Sequence, residues 1–280
     1  MRIAVMTTAV LLSAAPAFAG NGLFDDMDCR HTAPRRASTP AAGISRIVLH
    51  TDSGSLQVDG SAGANQIVAA GAACTSDEDF LPRMNVTLRR SGSDLHITSE
   101  IPDRTVIFGF FSARIDLGVT IPAGLPVVID DDSGWIKVAN TGALTIDDDS
   151  GAIEVRNING NVTIHDDSGA IEINTVAGNV TIEDDSGEVS IKNVNGNVEI
   201  EDDSGAIIVA NVTGSLRVRN DDSGSIHVQN VKRDVTIDDD GSGGIDVADI
   251  GGNFSVGHKG GGGGIEYVRV AGKVRIPEQD

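Results

Sequence analysis

The sequence predicts an all-β fold, a parallel β-helix-like solenoid with short coils of about 18 residues. Three observations carry that prediction. The motif Asp-Asp-Ser-Gly recurs with serines at Ser133, Ser150, Ser168, Ser186, Ser204 and Ser223 and a degenerate copy at Ser242, in steps of 17 to 19 residues. Between the motifs, apolar residues alternate with polar ones at a period of two, which is the period of a strand and not of a helix. Equivalent residues return once per repeat rather than once per hairpin, so units too small to bury an apolar face alone gain a core by stacking. A β-sandwich of short hairpins is the competing reading of such spacing.

The elements follow in chain order. Arg2 precedes an apolar run from Ile3 to Ala14 that ends in Ala17-Phe18-Ala19, which reads as a bacterial secretory leader cleaved after Ala19. The run is too short to span a bilayer, and no other segment supports stable membrane insertion. Residues 20–43 mix charge, proline and glycine and read as an N-terminal tail or cap. Residues 44–130 hold less regular strands, among them Ile47-Val48-Leu49, Leu95-His96-Ile97 and Ile115 to Ile121, and read as the irregular first part of the same solenoid. Residues 131–280 form the regular array with degenerate final coils.

One coil shows the internal logic. Ile153 and Val155, then Val162 and Ile164, point inward while Glu154, Arg156, Thr163 and His165 face water. Between the two strands lies a corner marked by Asn140, Asn157, Asn193, Asn211 and Asn230, with Thr175 and Asp249 substituting. An asparagine column of this kind can join side-chain amides from coil to coil. Glycine follows at Gly142, Gly160, Gly178, Gly196, Gly214 and Gly252, and Arg233 in the matching place is expected to mark an irregular corner.

The opposite corner has two readings. As structure, aspartate and serine cap their own turns and glycine closes the coil. As a site, stacking Asp131, Asp148, Asp166, Asp184, Asp202 and Asp221 brings like charges within about 5 Å, a cost that calcium could relieve through carboxylate oxygens, as could outward splay into water. The Gly-Gly-x-Gly-x-Asp calcium repeat and the EF-hand loop are both absent. The glycine run Gly260–Gly264 lacks the context of a phosphate cradle and reads as a flexible turn.

A formal charge of -20, to which loss of Arg2 with the leader adds one more negative charge, disfavours nucleic acid and anionic membranes and favours cationic partners. Two cysteines in an exported chain read as one disulfide, Cys29 with Cys74. Catalysis has little support. Asp166 with Asp184 is the nominal pair for a polysaccharide-active β-helix enzyme, yet nothing separates it from the other coils. Val106–Phe111 is the most aromatic segment, with Phe108, Phe110 and Phe111 forming either an apolar lid or a contact patch. Trp135 reads as a cover for the apolar start of the array.

Strand-Pro122-Ala123-Gly124-strand, followed by repeated Ser-Gly-x-Ile-x-Val and Gly-x-Val-x-Ile units over roughly Ile44 to Ile276, resembles the adhesin-like DUF4097-type β-solenoid domain family of bacterial exported and envelope proteins. The resemblance implies a right-handed parallel β-helix-like domain with no catalytic residues to carry over. The combined expectation is a non-enzymatic periplasmic or secreted module. It would bind a protein or glycan of the cell envelope, with a calcium-dependent module as the alternative.

Overall fold

The structure, a computed structural model, describes residues 29–102 and 111–278. The expected leader, residues 1–19, lies outside the described residues. All 22 described strands belong to one continuous hydrogen-bonded system.

In the regular array each coil supplies two strands, and each strand pairs in parallel with its equivalent one coil away. Val162–Asp166 lies between Leu144–Asp148 and Val180–Asp184, and Ile171–Val176 lies between Ile153–Ile158 and Val189–Val194. Later coils run through the corner without interruption, so that Val198–Val212 pairs with Leu216–Val231 along nearly its whole length. The parallel stacking excludes the hairpin sandwich. Strict register follows from period-two burial, because a slip of one residue would turn every aliphatic side chain outward.

The core is a set of aliphatic ladders. Val162, Ile164, Ile171, Ile173, Val180 and Ile182 are each no more than 1 % exposed. Each such side chain contributes roughly 1.5–3 kcal/mol on burial. The residue after the asparagine corner, Ile158, Val176, Val194, Val212, Val231 or Ile250, closes the core at that side and is also buried.

Both corners obey backbone rules. Asn140, Asn157, Asn193, Asn211 and Asn230 adopt left-handed φ values of +56 to +61°, where asparagine is tolerated and a β-branched residue is strained. Their amides form a ladder: Asn157 Nδ2 donates to Asn140 Oδ1 at 3.3 Å, Asn211 to Asn193 at 3.0 Å and Asn230 to Asn211 at 2.7 Å. Where Thr175 interrupts, Asn193 reaches Asn174 Oδ1 instead, at 2.9 Å. The corner at Arg233 is regular, contrary to expectation: Arg233 N donates to Gly214 O and Gly252 N to Arg233 O. The glycines of that column have no positive φ, so it is close packing that favours them, a Cβ on Gly214 lying 2.3 Å from the carbonyl oxygen of Gly196.

The early strands do not stack in chain order. Arg46–Ser53 and Leu56–Ser61 pair with Val127–Ser133 and Ile136–Ala139 on one side and with Asp94–Glu100 and Ala113–Pro122 on the other. The chain therefore leaves its first coil outward and returns to stack on that coil's inner side. Antiparallel strands finish this end, Asn85–Ser91 on Asp94–Glu100, and His31–Pro40 on Gln66–Thr75, which itself pairs with Ala113–Pro122. Residues 31–40, read as an irregular tail or cap, are thus a ten-residue strand. Its burial alternates without ever reaching the core, which is why no apolar period betrayed it. The Cys29–Cys74 disulfide ties it down, and Arg35 donates to the carbonyls of Met84 and Leu81, both at 2.6 Å.

The far end is simpler. Ile265–Val270 pairs with Ile245–Ile250, and Val274–Arg275 with Phe254–Lys259. The glycine run before Ile265 is not a free turn, since Gly260 N donates to Asp240 O, Gly243 N to Gly262 O and Ile245 N to Gly264 O.

Close packing is tightest at the Ser-Gly corner. Gly169, Gly187 and Gly205 have φ of +143, +149 and +148°, and a Cβ on Gly187 would lie 1.5 Å from the carbonyl oxygen of Gly169. Gly187→Ala is expected to cost more than about 3 kcal/mol, by forcing adjacent coils apart. Chemical denaturation read by circular dichroism would show it, and a loss under about 1 kcal/mol would disprove this packing.

Candidate functional site: an aspartate column inside the solenoid

The Asp-Asp-Ser-Gly corner sends its two aspartates in opposite directions. Val162, Ile164 and Asp166 share one phase of the strand, so the first aspartate continues the inward row while Asp167 faces water. In register, Thr51 pairs with Asp131, which pairs with Asp148, and the series continues through Asp166, Asp184, Asp202 and Asp221. Asp240 extends it by one coil, and Lys259 pairs with Asp240 at its end. All seven aspartates are between 0 and 4 % exposed. The companions Asp132, Asp149, Asp167, Asp185, Asp203 and Asp222 form an exposed row along the outer edge.

Hydrogen bonding to the buried carboxyls is sparse. Ser168 N donates to Asp166 Oδ1 at 3.3 Å and Ser204 N to Asp202 Oδ1 at 3.2 Å. The second oxygen of each, and both oxygens of Asp131, Asp148, Asp184 and Asp221, have no partner. Serine mainly serves the stack: Ser168, Ser186 and Ser204 donate through Oγ to the carbonyls of Asp149, Asp167 and Asp185 in the preceding coil. The turn-capping role expected for both residues is therefore divided, with only some aspartates capping and serine bridging.

Loss of solvent, reinforced by neighbouring carboxylates, pushes Asp148, Asp184 and Asp221 up to about 7. Desolvation likewise raises Asp131 to about 7, where the Thr51 hydroxyl tempers the shift without reaching hydrogen-bond geometry. Desolvation raises Asp166 and Asp202 less, to about 6, because there the serine N–H that supports the charged form outweighs the neighbouring carboxylates, whereas at Asp148, Asp184 and Asp221 the next aspartate of the column outweighs it. At the tail, Lys259 Nζ lies 3.0 Å from Asp240 Oδ2 and its side chain is 9 % exposed.

The remaining candidates separate. Asp166 and Asp184 face the core and are out of reach of a polysaccharide chain. Among the described residues no three His, Cys, Asp or Glu side chains are arranged around one point to hold a metal. His165 and His227 are half exposed beside Glu183 and Asp246, at 3.8 and 3.1 Å. Phe111 packs edge-on against Phe80 with ring centroids 4.8 Å apart and is partly buried against the core. Phe108 and Phe110 lie outside the described residues. Trp135 does not cover the core; it is 44 % exposed on the corner.

Two features escaped the sequence reading. Arg219 is inserted by a register shift and meets Glu183, Glu199 and Glu201 at 3.1, 3.1 and 2.8 Å, turning an acidic outer row into a network. On the other sheet the outward positions, polar in the coils of Glu154, Glu172 and Lys192, include apolar residues further on, Ile208, Ala210, Ala248 and Val268, interspersed with His227, Gln229, Asp246 and Glu266. With Tyr267 these line a shallow groove of about 560 Å³. Apolar residues at the outward positions Ile208, Ala210, Ala248 and Val268 were the signal available for it.

These features define a parallel β-solenoid with an ionisable interior and a largely repetitive surface. Residues 44–255 match the family described as Toastrack DUF4097, and the chain belongs to it. Among solved structures, it is similar to a protein described as a putative adhesin from Parabacteroides distasonis, at 13 % identity over 88 % of this chain and 97 % of that one, with a TM-score of 0.43. A protein described as a putative adhesin from Parabacteroides merdae matches at 12 % over 88 % and 96 %, with a TM-score of 0.39. One described as a putative lipid binding protein, also from P. distasonis, matches at 16 % over 88 % and 97 %, with a TM-score of 0.37. No curated protein matches the chain.

The raised carboxyls make stability depend on pH with a defined sign. Between about pH 4 and 7 the folded chain holds protons that the unfolded chain has lost, so stability falls as pH rises through that window and levels off above it. In chelator-containing buffer the midpoint of thermal unfolding is expected to be at least about 5 °C higher at pH 5 than at pH 8. A midpoint that rises with pH would contradict the buried column.

Proposed function

We propose that this chain works outside the cytoplasm as a non-enzymatic, adhesin-like or envelope-associated module, binding a protein or glycan of the cell envelope through an outer face of the solenoid. The leader, the single disulfide and the acidic surface support export, and the repeated coils supply a stiff support. The observation that carries the reading is the apolar groove. Among polar outward positions, the later coils place Ile208, Ala210, Ala248 and Val268 on one face, beside an exposed Tyr267. Exposed aliphatic and aromatic surface set within polar surface is how soluble proteins mark a binding site. His227, Gln229, Asp246 and Glu266 flank it and would provide the polar contacts that orient a partner.

Cosedimentation of the purified exported protein with peptidoglycan sacculi and with outer-membrane vesicles tests the reading. Wild-type protein is expected to bind one fraction, Ile208→Asp combined with Val268→Asp to weaken that binding at least tenfold, and Asp185→Asn to leave it unchanged. Equal binding by the double variant would remove the groove from consideration, and retention on neither fraction would sink the envelope assignment.

A further inference from the structure

The apolar groove does not end on the sheet. Where it reaches the asparagine corner it opens into a second shallow cavity, of about 580 Å³, and the two share Ala210 and Gln229. The outward positions Lys192, Ala210, Gln229, Ala248 and Val268 follow one another coil by coil, so the joined surface runs straight along the stack for roughly 19 Å at the strand spacing. Its two sides differ in chemistry. One is apolar: Tyr267 and Val268 are 47 and 48 % exposed, and the buried Phe254 backs the Tyr267 ring with 6.0 Å between centroids. The other is polar: Lys232 Nζ donates to Asn230 Oδ1 at 2.9 Å, and Arg269 Nη2 donates to Asp249 Oδ2 at 2.8 Å. Formal charges balance across the joined lining, Lys192, Lys232 and Arg269 against Asp246, Asp249 and Glu266, on a chain whose formal charge is -20.

We propose that the groove and the corner cavity form one site for an uncharged glycan, held as an extended chain lying along the stack. The inference rests on the groove being the binding face and goes on to name its ligand. Charge is the first reason, because a charged partner is recognised by an excess of the opposite sign, and this region of an acidic protein has none of either. Sugar rings also match both sides. Their C–H faces pack on exposed aromatic and aliphatic side chains, here Tyr267 and Val268. Their hydroxyls both donate and accept, as do the amides of Asn211, Gln229 and Asn230. The Asp249–Arg269 pair adds an acceptor and a donor held in fixed geometry beside those amides. A protein partner fits less well, since His227 and Gln229 separate Ile208 and Ala210 from Ala248 and Val268 and leave no continuous apolar centre of the kind protein interfaces desolvate.

Calorimetric titration of the purified exported protein with chitotetraose and with cellotetraose, both straight and uncharged, and with tetragalacturonate as an anionic counterpart, tests it. Saturable binding is expected for at least one neutral probe and none for tetragalacturonate. Tyr267→Ala and, separately, Gln229→Ala, each shown to be folded by circular dichroism, are expected to weaken that binding about tenfold or more, and Asp185→Asn on another face to leave it unchanged. Absence of binding by both neutral probes would overturn the glycan assignment. If the protein still sedimented with sacculi or vesicles through Ile208 and Val268, the groove would keep its role and its partner would be a protein; loss of sedimentation as well would sink both readings. Equal binding of tetragalacturonate, or an affinity unchanged in both Tyr267→Ala and Gln229→Ala, would also overturn the assignment, the second by placing the sugar elsewhere.

Discussion

Each coil is held to the one before it by parallel backbone hydrogen bonds made in strict register, and every other feature depends on that register. It places like residue on like residue, so whatever a position does is repeated about every 4.8 Å along the stack. Aliphatic side chains gain from repetition because each rung packs on the next. Asparagine gains because its amide is both donor and acceptor and can pass a hydrogen bond along a column, as Asn211 and Asn230 do. Glycine is demanded where backbone touches backbone, as at Gly187 against Gly169. Aspartate is the one column residue that repetition penalises. It survives because about five aliphatic side chains per coil, each worth roughly 1.5–3 kcal/mol, accompany one carboxyl whose unpaired ionisation costs several kcal/mol.

The same register creates the problem of ends, and the two ends solve it differently. At the first, antiparallel strands run across the stack. His31–Pro40 carries prolines at both Pro34 and Pro40 and charges at Arg35 and Arg36, features that discourage further strand addition, and a disulfide fixes it. Phe80, Phe111 and Met84 close the core beside it. At the other end Ile265–Val270 leaves Tyr267 and Val268 about half exposed, next to the apolar groove. One end is thus covered within the chain, and the other joins the surface on which the functional proposal rests.

The regular coils were legible because period and chemistry agree: alternating Ile and Val, asparagine at one corner and Ser-Gly at the other admit one stacking. The first part was less legible because its order in space departs from its order in sequence. No local pattern says that Arg46–Ser53 sits between Asp94–Glu100 and Val127–Ser133. The aspartate motif was found as a motif, but its first residue was not assigned to the interior, because charge suggested water while the alternation Val162, Ile164, Asp166 already pointed inward. Lys259 and Thr51 could not be assigned to the column until register placed them at its ends.

The central claim is that the first aspartate of each pair titrates in a dry interior. Carboxyl ¹³C resonances of aspartate-labelled protein, followed from pH 3 to 9 in chelator and assigned through Asp184→Asn and Asp185→Asn, measure this directly. The account predicts that the Asp184 resonance titrates at about 7, as burial dictates. Titration of Asp184 near the ordinary carboxylate value of about 4 would place it in water and contradict the interior column.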